Sequence, residues 1–151
     1  MSGLIDAAAR EWIGRSQPPV TVEVTRRDIQ KYAVATEQKA EKYLNGDEAP
    51  PMFLFGLLRP VVPLDQLQPD GIARDAFLPD LPLKRIMAGG VDMKFHRPLR
   101  PGDVLTATRT LSDIQEKQGS TGPLIFLSYT LKVVDADGAP VVEETSTRIA
   151  R

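Results

Sequence analysis

Hydrophobic and polar positions divide the chain into a helical first half and a β-rich second half. Ile5, Ala8, Ala9, Trp12 and Ile13 recur at spacings of three and four, which predicts a helix over 4–14 within an N-terminal helical segment, 1–16. The prolines of "SQPP" stop it, and "VTVEV" (20–24) alternates as a half-buried strand does. Thr25 followed by Asp28 is a weak capping signal for a second helix, with Ile29, Tyr32, Ala33 and Thr36 on one face. "EQKAEKYL" either continues that helix or restarts it.

"MFLFGLL" (52–58) follows two prolines and has almost no polar content, which predicts a buried helix. Residues 60–83 carry five prolines and four aspartates and read as an irregular connection or a flap. The period then changes to two. "KRIMAGGVDMKFHRPL" is a strand interrupted at Gly89-Gly90, where a bulge or a close backbone approach is expected. Leu105, Ala107, Arg109 and Leu111 share one strand face, as do Ile125, Leu127, Tyr129, Leu131 and Val133. "DADG" (135–138) is a tight turn, and the last strand places Val141, Glu143, Thr145, Thr147 and Ile149 together.

One strand, helical material and a long antiparallel meander make an α+β domain. The economical solution is a single domain over 1–151 in which the sheet curls around the "MFLFGLL" helix, the hot-dog arrangement.

Composition narrows the chemistry. At 151 residues with a formal charge of −1, the chain has no basic excess for nucleic acid or an anionic membrane surface. It has no cysteine, so thiolate nucleophiles, disulfides and Cys-based zinc sites are excluded. A single histidine argues against a transition-metal centre, and no metal or other cofactor is expected. No G-x-S-x-G elbow occurs. The N-terminus lacks the apolar core of a signal peptide and no run reaches about 18 apolar residues, so a cytoplasmic protein is expected.

"PPVTVEVTRRDIQKYAVAT", "APPMF" and "FHRPLRPGDVLTATRTLSDIQEK" closely resemble the MaoC-like hydratase and dehydratase superfamily, nearest its N-terminal, fungal-synthase-type branch. The resemblance covers roughly residues 12–150. It implies a hot-dog homodimer or heterodimer acting on acyl thioesters of coenzyme A or acyl carrier protein. It also implies an Asp and a His that activate water for addition to a 2-enoyl thioester, whose carbonyl sits at the N-terminus of the buried helix.

The active motif of such proteins reads approximately Y-A-x-A-x-G-D-x-N-P-x-H, whereas this chain reads "YAVATEQKAEKY" from Tyr32 to Tyr43. Glu37 stands for the Gly, Gln38 for the Asp and Tyr43 for the His. Gln cannot take a proton, and Tyr, with a pKa near 10, is a poor base at neutral pH. Glu37 and Glu41 are the remaining catalytic candidates, against the reading of a solvated helix face. Gln38 and Tyr43 either hydrogen-bond substrate or pack, and the backbone of Met52 and Phe53 would meet the thioester.

Lys117, in the glycine-bearing loop 116–123, either belongs to a hairpin turn or touches a phosphate of coenzyme A or phosphopantetheine. His96 lies in the strand-and-turn phrase "FHRPLRPGD" and is read as structural. The implied function is a subunit of an enoyl-thioester hydratase or hydroxyacyl-thioester dehydratase, with a partner carrying the Asp and His. The alternatives are a homo-oligomeric hydratase or thioesterase using other residues, and a non-catalytic acyl-thioester binding protein.

Overall fold

The computed structural model describes residues 3–151. The order of elements is α1 (Ala7–Arg10), β1 (Val20–Glu23), α2 (Arg26–Ala35), α3 (Glu41–Leu44), α4 (Phe53–Leu57), β2 (Ile86–Phe95), β3 (Val104–Gly119), β4 (Gly122–Val134) and β5 (Pro140–Ala150). The strands form one antiparallel sheet in the order β1-β3-β4-β5-β2. It is a hot-dog α+β fold, with the helices and irregular segments gathered on one face of a curved sheet.

Local sequence explains several boundaries. Thr25 caps α2 by accepting a hydrogen bond from the Asp28 N–H at 3.1 Å. The chain between β4 and β5 turns on Asp135, whose carboxylate accepts from the N–H groups of Asp137 and Ala139, and Gly138 supplies φ +80°. Gly89 is the extra residue of a bulge in β2, and a Cβ there would stand 3.1 Å from Ile149 and Thr147. Both the bulge and the close approach expected at the glycine pair are present.

Three expectations need correction. The helix expected over 4–14 has only four helical residues, and Ala8 and Ile13 are exposed, because Gly14 turns the chain to bond the Leu111 carbonyl. The "MFLFGLL" helix is five residues long; Phe53 and Leu54 are buried, while Met52 and Phe55 are 45% and 43% exposed. The sheet curls around this short helix together with α2. Ile29 and Tyr32 of α2 pack with Phe53 and Leu54 against Leu105, Ala107, Val133 and Val142.

The third correction concerns β5. A register shift opposite Val133 and Val134 places Val142, not Val141, across from Val133. Because strand side chains alternate with period two, one extra residue reverses every position beyond it. Glu144, Ser146, Arg148 and Ala150 consequently face inward, opposite Leu131, Tyr129, Leu127 and Ile125. Glu143, Thr145, Thr147 and Ile149 face out. Val141 is also fully buried, as a residue of the irregularity.

Residues 60–83 make neither a strand nor an α-helix. The stretch from Asp75 to Leu83 lies against the sheet as a strap. Its Phe77 and Leu81 join Ile5, Ala9, Leu111, Ile114, Ile125, Leu127 and Tyr129 in a second core cluster. The inner face of the sheet thus carries two apolar clusters.

Candidate functional site

The segment from Tyr32 to Tyr43 folds as the end of α2, a turn and the start of α3. Glu37 has φ +56°, the left-handed region in which a β-carbon is strained. It occupies the position where the resembling motif has glycine. Glu37 and Glu41 are exposed, and Gln38 and Tyr43 are half-buried. The Gln38 N–H donates to the Ala33 carbonyl at 2.9 Å, its side-chain amide donates to the Thr36 hydroxyl at 3.3 Å, and Lys42 lies 5.0 Å above the Tyr43 ring.

Tyr32 meets Phe53 edge-on at 5.7 Å, which joins this segment to α4. The Phe53 N–H is already committed to the Pro50 carbonyl at 3.0 Å. A helix of five residues also sums few peptide dipoles, so the strong helix terminus expected at Met52 and Phe53 does not form.

Lys117 stands apart from these groups. It lies in β3 opposite Leu124, with its ammonium 4.4 Å above the Phe126 ring. Ten residues separate it from Ala107, which packs with α2, so about 30 Å of strand lies between them. The β3–β4 connection is a two-residue turn at Ser120-Thr121. His96 bonds Glu143 on the outer face of the sheet, Nε2 to Oε2 at 2.8 Å. Beside it, Arg97 grips Asp103 with two bonds of 2.9 and 3.2 Å, and Asp103 also accepts from the Arg100 N–H. Burial alone would raise the Asp103 carboxyl, but the Arg97 and Arg100 contacts prevail and hold it below the usual carboxylate range.

The feature that no single stretch of sequence announces is a polar band across the inner face. Arg109 from β3 and Glu144 from β5 stand on either side of Leu131 in one cross-strand row. Arg148 follows two rows on. Asp75 of the strap joins the arginines: its Oδ2 lies 2.9 Å from Arg109 Nη1 and 3.0 Å from Arg148 Nη2. Its Oδ1 accepts from the Phe77 N–H at 3.0 Å, which holds the carboxylate in place. Arg109 lies 4.0 Å above the Tyr129 ring.

Burial pushes the Glu144 carboxyl above its usual value, against the opposing pull of Arg109 and the Ser146 hydroxyl. Burial likewise raises Tyr129 to about 12. Asp75, Glu144 and Arg148 were hidden in the sequence by the β5 bulge and by the irregular strap. Arg109 was legible as the one charged member of an apolar strand face.

A family model described as FAS1-like, dehydratase domain region, matches residues 11–144. The chain belongs to this family. It is a member of the MaoC-like hydratase and dehydratase superfamily. Mesaconyl-C(4)-CoA hydratase of Chloroflexus aurantiacus is 28% identical over 134 residues, 88% of this chain and 48% of that protein. This chain therefore spans about half the length of that relative.

A chain of the ChsH1-ChsH2 complex from Mycobacterium tuberculosis superposes with a TM-score of 0.66 at 16% identity, covering 89% of this chain and 83% of that one. A chain of the HadBC (3R-hydroxyacyl-ACP dehydratase) complex from the same organism gives 0.61 at 16%, covering 91% and 96%. At these identities the likeness is one of fold. Among the described residues no group of His, Cys, Asp and Glu could hold a metal ion, and no helix is long and apolar enough to cross a membrane.

Proposed function

We propose that this chain is one subunit of an enoyl-thioester hydratase or hydroxyacyl-thioester dehydratase, and that a partner hot-dog chain supplies the Asp and His that add or remove water. The observation that carries this reading is the Tyr32–Tyr43 segment. Glu37 keeps a left-handed backbone suited to glycine, while Gln38 and Tyr43 replace the proton-transferring pair. A framework retained without its acid and base is what a non-catalytic half of a two-chain enzyme requires.

Two further features support it. Strand β2 is an unpaired sheet edge ten residues long, and such an edge is open to pairing with a second hot-dog chain. The relatives of known structure named above are complexes, which agrees with a two-chain assembly. In this reading the acyl thioester, of coenzyme A or of acyl carrier protein, lies on the inner face. Gln38 and Tyr43 line its approach.

The test is hydration of crotonyl-CoA and longer 2-enoyl-CoA esters by the purified chain, alone and with a hot-dog chain carrying the complete D-x-N-P-x-H motif. The expected outcome is turnover only in the mixture, with a co-eluting complex. Turnover by the chain alone that disappears in Glu37→Gln or Glu41→Gln would instead make it a self-sufficient homo-oligomer.

A further inference from the structure

The polar band on the inner face lies where an apolar cover would ordinarily be expected, and it separates the two core clusters. Sinking two guanidiniums into a sheet face is costly, and aliphatic side chains would fill the same space more cheaply. Among the described residues Asp75 is the one acid in ion-pair contact with either arginine, while Glu144, across Leu131 from Arg109, feels that guanidinium at longer range. That carboxylate comes from the irregular strap, not from the sheet.

Beyond the arginines the inner face is open. Val91 lies opposite Ser146 and Phe95 opposite Val142, so both point to the same side as Arg148, yet they are 52% and 40% exposed. The strap packs on β3, β4 and the end of β5, with Ile86 at the start of β2 against the same cluster. The result is a lane with Val91, Met93 and Phe95 along β2, with Glu144 opposite Met93 on the same face and the Asp75-paired guanidiniums of Arg109 and Arg148 beyond. Guanidinium forks match carboxylates in both charge and geometry.

We infer that Arg109 and Arg148 form a carboxylate-reading subsite, and that the acyl group lying in this lane carries a free carboxylate. Asp75 occupies the subsite in the absence of ligand. This assignment rests on the acyl-thioester reading above and deepens it by giving the acyl group a chemical class.

The test is calorimetric titration of the full chain with glutaryl-CoA and pentanoyl-CoA, saturated esters of equal chain length that differ in a terminal carboxylate. The expected result is a preference of about tenfold or more for glutaryl-CoA, the size of one charge-assisted contact. Arg148→Gln should remove that preference while leaving pentanoyl-CoA affinity within about twofold. Asp75→Asn, which frees both guanidiniums, should widen the preference, and it decides the matter if Arg148→Gln fails to fold. Equal affinity for the two esters in the unaltered chain overturns the carboxylate assignment and leaves the acyl-thioester reading standing. Binding of neither ester overturns both.

Discussion

The Tyr129 hydroxyl donates a hydrogen bond of 2.8 Å to the Phe77 carbonyl, across 52 residues of sequence and wholly inside the protein. That bond fastens an irregular strap to the central strand of the sheet. Phe77 also packs at 5.8 Å against both Tyr129 and Trp12, so the strap is held by ring contacts as well. Replacing Tyr129 by Phe keeps the rings and removes only the bond, leaving a buried carbonyl without a donor. A loss of about 1–2 kcal/mol is expected, measured by chemical denaturation. Limited proteolysis should also cut residues 60–83 faster in the variant.

Arg97 and Asp103 tie the exit of β2 to the entry of β3, and they make the fold acid-sensitive. The folded Asp103 carboxyl is depressed below the ordinary aspartate value, so its contribution is present above about pH 4 and is lost as pH falls through the lower folded value. Arg97→Met should cost about 2 kcal/mol at pH 7. The difference between the two proteins should narrow below pH 4. A difference that stays constant down to pH 2 would refute the pairing as its source.

Glu144 has the opposite sign. Its folded carboxyl is raised above 4.5, chiefly by burial, so the favourable protonated form is present below 4.5 and is lost as pH rises through the folded value. Glu144→Gln removes that loss. The variant should melt higher than the parent at pH 7, and the two should converge near pH 4. Thermal melts at three pH values are sufficient to check it.

Two glycines separate backbone strain from crowding. Gly138 has φ +80° with open space around it, whereas Gly46 has φ +72° and a Cβ there would come within 2.7 Å of the Arg26 carbonyl oxygen and side chain. Gly138→Ala should cost only the left-handed penalty of about 1 kcal/mol. Gly46→Ala should cost at least about 2 kcal/mol, since the contact with backbone cannot relax by a rotamer change. Equal losses in the two variants would show that the packing of the α2–α3 corner is looser than described.

The α+β class, the extent of β3 and β4, the Thr25 cap and the glycine bulge in β2 were all written locally. Each depends on residues within a few positions of one another, and alternation or a cap reports them directly. The loss of the acid–base pair at Gln38 and Tyr43 was equally local. Tertiary structure decided which residues of β5 face inward, because one extra residue at Val141–Val142 reverses every position after it. It also decided that Asp75 belongs with Arg109 and Arg148, which lie 34 and 73 positions away. No periodicity spans such distances. Only a sheet that brings β3, β5 and the strap onto one face can gather those three charges, and for that reason the carboxylate-reading subsite became visible only in the fold.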